Sequence, residues 1–354
     1  MKRKVFALLL AFATMLAAVA CAPAAPEAAP VPESAPAVEE QEGTVAEAAF
    51  EFPKMVINVG HGNSETHSYQ TGLLEFKRVV EEKTGGNVTV EIHSSSSLGS
   101  EREMVEGLQL GTIEMCLSAT SPLTAFVPEY SVFDLPFIFT SRDQAWNTLD
   151  GELGKEMLDM LDAKGLKGLA YFEVGFRNFT NNSLPISKPE DLKGLKLRTM
   201  ETPVHVASVN YWGGNALAMP IGEVYTAFQM GTIDGHENPF ASIMAQKFYE
   251  VQKYISVSEH FYTATPLLVS KQLWDSMSPE LQAVLQEAAY AGRDACRQAN
   301  LKVEEEGIAI CEEAGCEVNY ADKEAFKATA PAIYEMFAEE IGQEIIDKFI
   351  AAQD

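Results

Sequence analysis

From Met55 onward the chain reads as short apolar runs separated by amphipathic stretches. Met55-Val56-Ile57-Asn58-Val59 predicts a strand, His61 to Tyr69 a polar turn, and the apolar positions Phe76, Val79 and Val80 a helix behind it. A second strand, Val88-Thr89-Val90-Glu91-Ile92, follows the stop at Gly85-Gly86. Ser97-Leu98-Gly99-Ser100 then leads into a helix with Met104, Leu108 and Leu110, and Ile113 to Ser118 forms a third strand. Strand and helix in alternation indicate a parallel sheet with covering helices. The pattern restarts with strands at Gly168 to Phe172 and Leu195 to Arg198, a helix from Thr202 to Trp212 with Thr202 as cap and Pro203 in its first turn, and another from Ile221 to Met230. Two successive α/β patterns imply two similar lobes, although no residue-level repeat is read between them.

The carboxyl-terminal part is almost wholly helical. Ser278-Pro279-Glu280 opens a helix that runs to about Glu313. At about 1.5 Å per residue it is roughly 50 Å long, longer than a small domain is wide, so it is expected to cross both lobes. Asp322 caps a last helical stretch from Lys323 to Ala351, broken or kinked at Pro331.

The first residues follow another rule. Met1-Lys2-Arg3-Lys4 is a basic start, Val5 to Leu16 is apolar apart from Thr14, and small residues lead to Cys21. This is the order of a secretory signal, and the apolar run is too short to span a bilayer. Cleavage before Cys21 would leave a cysteine at the new amino terminus, as in a bacterial lipoprotein with a lipid on the thiol. Residues 21–50, rich in Ala, Pro and Glu, cannot bury enough apolar surface to offset ordering and read as an extended tether.

About 300 residues remain for the folded part, a size that suits two lobes. The formal net charge of -25 argues against a nucleic-acid partner, which needs a basic face. Of the five cysteines, Cys116 lies in an apolar run and reads as a small buried hydrophobe. Cys311 and Cys316 are candidates for one disulfide in an extracytoplasmic protein, a pairing that spacing alone leaves open.

The sequence contains no nucleophile elbow, zinc-protease helix, phosphate loop or dinucleotide-binding glycine pattern. His61 and His67 lie near one another but lack identifiable partners for a metal, and neither metal nor cofactor is expected. Arg198 ends a strand, where ligands of open α/β sheets bind, and guanidinium matches a carboxylate in plane and spacing. A surface pairing with Glu201 or Asp191 explains the same position equally well. Arg177, between Phe176 and Asn178-Phe179, either stacks or bridges or joins Arg198 in an anion pocket. Asn238 precedes Pro239, where asparagine also serves as a turn former.

The run from Pro185 to Arg198, with Met219-Pro220, Glu223-Val224-Tyr225 and Gln229 to Pro239, closely resembles the solute-binding subunits of tripartite ATP-independent periplasmic (TRAP) transporters, the DctP family. The resemblance extends over essentially all of Glu51 to Asp354. It implies a bilobed, periplasmic-binding-protein-like α/β fold, two lobes joined by a hinge with a long helix across both. Lobe I would comprise 51–174 plus about 263–302, and lobe II 175–262 plus about 303–354. It implies a monomeric extracytoplasmic receptor, lipid-anchored through Cys21, that delivers a small organic acid to TRAP membrane subunits.

The family's carboxylate-binding arginine matches Arg198, the second arginine Arg177, and the asparagine of the Glu-Asn-Pro segment Asn238; His61 and Thr120 fall where the other lobe contacts ligand. A hexuronate is favoured over a C4-dicarboxylate, since His61 and Thr120 would meet hydroxyls, and sialic acid is disfavoured by Ala119, where its binders carry glutamate. Two other readings remain open: a ligand-sensing receptor for a signalling protein, and an extracytoplasmic enzyme on the same scaffold.

Overall fold

The computed structural model describes residues 50–353, so the expected signal peptide, Cys21 and nearly all of the tether lie outside the described residues. The first half of the fold runs β1 (Met55–His61), α1 (Ser68–Lys83), β2 (Val88–His93), α2 (Glu101–Leu110) and β3 (Met115–Leu117), then α3 (Thr120–Leu123), α4 (Arg142–Asp150) and α5 (Glu152–Met160). After β4 (Leu166–Asn181) come β5 (Lys196–Thr199), α6 (Pro203–Tyr211), β6 (Asn215–Ala218), α7 (Ile221–Gln229), β7 (Gly235–Pro239), α8 (Phe240–Ala245), β8 (Tyr254–Val257) and β9 (Tyr262–Ser270). The chain finishes with α9 (Lys271–Ser276), α10 (Pro279–Glu313), β10 (Glu317–Tyr320), α11 (Lys323–Lys327), α12 (Ala330–Ile341) and α13 (Gln343–Ala351).

The strands lie in the order β2-β1-β3-β9-β4-β7-β5-β6, with β8 between β4 and β10. Pairing is parallel within β2-β1-β3, within β7-β5-β6 and between β8 and β10, but both long central strands run antiparallel to their neighbours. The sheet is therefore mixed where local pattern predicts it parallel. β4 is sixteen residues long rather than the five read from its apolar run, and it changes partners midway. Residues Leu166 to Phe176 pair with β9, and Arg177 to Asn181 pair with β7. Next to the exchange the register slips between Glu173 and Gly175, and Gly175 takes φ +107, a conformation open to glycine.

α10 links the two halves. Its Leu281, Leu285, Ala288, Ala289 and Cys296 enter one core with β1, β2 and α1, while Cys311 enters another with α7, α8 and β8. Ser278 caps it by accepting from Leu281 N at 3.3 Å. Thr202, by contrast, occupies the cap position of α6 without a side-chain cap bond. The final helical stretch breaks before Ala330 and again at Gly342, so Pro331 sits in the first turn of a new helix rather than at a kink.

A residue-level repeat is present after all. Gln109-Leu110-Gly111-Thr112-Ile113-Glu114 and Gln229-Met230-Gly231-Thr232-Ile233-Asp234 end α2 and α7 with the same turn: glycine φ is +71 and +65, and threonine N–H bonds back to the carbonyl five residues earlier at 2.9 and 3.0 Å. Its shortness hides it from a search for whole-lobe similarity. The pairing of Cys311 with Cys316, which spacing leaves open, is not made. Cys311 and Cys316 are free thiols; Cys316 Sγ donates toward the carbonyls of Tyr249 and Gln252, both at 3.3 Å, and Cys311 packs on Met244.

Candidate functional site

Strands β5 and β7 are parallel, so their carboxyl ends open on the same side, against the point where β4 changes partners. Arg198 is the third residue of β5, in register with Leu217 and His236. Its side chain is 3% exposed, and its Nε donates to Met219 O at 2.8 Å. Among the described residues Arg198 makes no ion pair. Of the two surface partners considered above, Asp191 instead accepts from Ser187 N and Lys188 N at 2.8 and 3.0 Å, and Glu201 shares the cleft without bridging to it.

Arg177 is held differently. It faces Pro239 across the β4–β7 pairing and forms a buried ion pair with Glu237. Its Nη2 donates to Glu237 O at 2.7 Å and Asn238 Oδ1 at 3.2 Å, and Nη1 to Thr263 Oγ1 at 3.0 Å. Arg177 therefore bridges, with its donors committed to protein. Asn238 belongs to β7 rather than a turn, and its amide is oriented from both ends, by Arg177 and by His236 Nδ1 at 2.7 Å.

These charges share a low-dielectric space. Burial, and then the like charge of Arg177, pull Arg198 down to about 10, against the opposing pull of Glu237, Glu101 and Glu201; it stays cationic at neutral pH. Burial raises Glu237 while Arg177 restrains it. Glu101, the first residue of α2, is pushed up to about 7 by burial, opposed by its backbone partner Ala119 and by Arg198.

A cleft holding about 540 Å³ of empty space, its mouth included, runs between the halves of the fold. Arg177, Arg198 and Asn238 line it from one half, and Asn63, Tyr69 and Glu101 from the other. The halves touch at Gly62, where a methyl group would lie 3.4 Å from both Glu101 and Ile221. Three residues singled out in the sequence thus converge. The other two do not reach the wall: His61 is fully buried, its Nε2 3.0 Å from Gln70 Oε1, and Thr120 is fully buried beside the wall residue Ala119 with no partner for its hydroxyl. Asn63, Tyr69 and Glu101 were missed because each also serves a local role, in a polar turn, on a helix face or in the first turn after the Ser100 cap.

The family model described as bacterial extracellular solute-binding protein, family 7 (DctP), matches residues 59–340. The C4-dicarboxylate-binding periplasmic protein DctP of Rhodobacter capsulatus is 33% identical over 305 residues, 84% of this chain and 91% of that protein. A TRAP periplasmic solute binding protein from Polaromonas sp. JS666, bound to D-erythronate, superposes with a TM-score of 0.82 at 36% identity, covering 85% of this chain and 99% of the other. The sugar acid binding protein DctPAm of Advenella mimigardefordensis strain DPN7T, in complex with galactonate, gives 0.83 at 34% identity, covering 85% and 98%.

Proposed function

The chain belongs to the DctP family of bacterial extracellular solute-binding proteins, and from that premise we propose that it captures a small organic acid for a TRAP-type secondary transporter, with Arg198 as the carboxylate clamp. The observation that carries this reading is the state of Arg198: a buried guanidinium in a cleft, without an ion-pair partner among the described residues. Burying a cation unpaired is costly, and a bound carboxylate removes that cost while filling the two-pronged donor set. Arg177 supports the site indirectly, by orienting the Asn238 amide. His61 and Thr120 belong to this reading as residues behind the wall.

Lobe boundaries at 51–174 plus about 263–302, and 175–262 plus about 303–354, draw support from the partner exchange of β4 beside Gly175. α13 qualifies the last segment: Phe349 packs on Phe133 with ring centroids 5.3 Å apart, so the carboxyl end also reaches the first half. Ligand touching both halves stabilises the closed arrangement, in which Ser64 Oγ already donates to Ala245 O at 3.0 Å. In this reading the protein works outside the cytoplasm as a monomer, anchored through Cys21 on its tether, and binds its ligand without transforming it.

Calorimetric titration of the purified chain with organic acids, neutral sugars and amino acids tests the reading. Binding of an acid is expected, and Arg198→Ala should weaken it by about 2 to 5 kcal/mol. Unchanged affinity in a folded variant, or binding confined to neutral compounds, would sink it.

A further inference from the structure

The turn that ends α10 brings two thiols together. In a continuing helix Cys311 and Cys316 would lie about 140° apart around the axis, facing different surroundings. The helix instead stops before Ala314, and Gly315 takes φ +95, a left-handed backbone that folds the chain back. Cys316 N then donates to Cys311 O at 2.9 Å and Gly315 N to Glu312 O at 3.0 Å, the paired bonds of a Schellman turn, in which side chains at these two positions commonly meet. With standard bond lengths, the 2.9 Å bond holds the two Cα atoms within about 6.8 Å of each other however the link bends, inside the reach of a disulfide. Both side chains enter one apolar cluster. The other cysteines among the described residues are elsewhere: Cys296 lies about 22 Å back along α10, and Cys116 is buried in β3 within a different core. The contacts that Cys311 and Cys316 now make are weak. Cys316 Sγ is a poor donor with one proton to share between the carbonyls of Tyr249 and Gln252, and Cys311 Sγ rests 3.8 Å from Met244 Sδ.

We propose that Cys311 and Cys316 form a redox site, which a disulfide-bearing oxidant outside the cytoplasm closes into a bond stapling the end of α10. Cys316 is the point of entry: it is 8% exposed and lines a surface hollow with Gly315 and Lys253, whereas Cys311 is fully buried. The Cys316 thiolate attacks one sulfur of the oxidant, forming a mixed disulfide and releasing the other sulfur as a thiolate. The Cys311 thiolate then attacks Cys316 Sγ and expels the second oxidant sulfur. Two electrons pass to the oxidant, and the two protons lost by the cysteines end on its thiols. Burial raises both thiols, Cys311 to about 12, so closure is slow, but the product persists where thiols are not kept reduced. The staple goes beyond the receptor reading and is independent of it, since neither cysteine lines the cleft.

The test is incubation of the purified, folded chain with glutathione disulfide, followed by alkylation, cleavage after glutamate and mass spectrometry. Cleavage at Glu312 and Glu313 separates the two cysteines unless a disulfide joins them. The two fragments should stay joined, with a mass about 2 Da below their reduced sum, and part on reduction. Cys311→Ser should stop at the mixed disulfide, keeping glutathione on Cys316. The oxidised chain should melt higher than the reduced one by about 2 °C or more. A lasting glutathione adduct on Cys316 of the unmodified chain, alkylation of both thiols after oxidation, or a bond from either to another cysteine overturns the redox site, and none of these needs a variant to fold. A bond that forms without raising the melting temperature overturns the staple.

Discussion

Arg177 and Glu237 form a buried pair in which the guanidinium grips both the carboxylate and, through Nη2 at 2.7 Å, the backbone carbonyl of the same glutamate. The grip spans β4 and β7 at the place where β4 changes partners, and among the described residues the neighbouring Arg198 has no carboxylate paired to it. In the proposed reading, Arg177 braces the strands and Arg198 receives the ligand.

Glu237→Ala would leave Arg177 charged and buried without its partner. A loss of about 3 to 5 kcal/mol is expected, read as a lower midpoint in urea unfolding. Glu237→Gln, which keeps an acceptor for the guanidinium, should cost less. If the alanine variant unfolds within about 0.5 kcal/mol of the parent, the pair does not brace the strand exchange.

Gly175 combines a left-handed backbone with a tight contact: a methyl group there would lie 2.7 Å from Glu304 Oε1, on a side chain that Arg142 holds. Gly175→Ala should destabilise by about 1 to 3 kcal/mol. Because Arg177 lies two residues further along β4, ligand affinity should fall as well. A variant with parental stability and affinity would mean that the exchange tolerates an ordinary backbone.

Asp134 makes stability depend on pH. It accepts from Ser121 Oγ at 2.6 Å and lies 3.6 Å from His205 Nε2, with Arg177 and Glu237 also acting on it, and burial raises it from 3.8 to about 7. The folded protein thus keeps a proton that the unfolded chain releases, so the contribution of Asp134 falls as pH rises through that window. The buried histidines His205, His236 and His260, all held well below 6.5, act in the opposite sense and lose stability as pH falls. The difference between variant and parent isolates Asp134. Asp134→Asn should gain melting temperature relative to the parent as pH rises from about 4 to about 7, then hold level. A difference that stays flat across that range would show that Asp134 is ionised throughout.

Much of this architecture was legible before any contact was known. Apolar spacing located β1, α1, β2, α2 and β3, and Ser278-Pro279 marked the start of α10. Local chemistry suffices there, since a cap, a proline in the first turn or an alternating run acts within a few residues. The central strand was not readable in full. Its second half, Gly175-Phe176-Arg177-Asn178-Phe179-Thr180-Asn181, is buried throughout except Phe176, so it lacks the polar alternation that marks a strand with one wet face.

The candidate site divides along the same line. Residue type and strand position single out Arg198, Arg177 and Asn238, because a guanidinium at a strand end is a local fact with a definite chemistry. Their different duties depend on Glu237, Met219 and Thr263, which lie from 21 to 86 residues away along the chain, and only packing brings such groups within hydrogen-bond reach. Packing also moved His61 and Thr120 behind the wall and brought Glu101 to it, since which face of an element meets the cleft is settled by how the halves dock. Composition and pattern thus establish an acidic α/β chain with a long crossing helix and arginines at strand ends. Tertiary structure decides which arginine is left without an ion pair among the described residues, and it brings Glu101 to the same cleft.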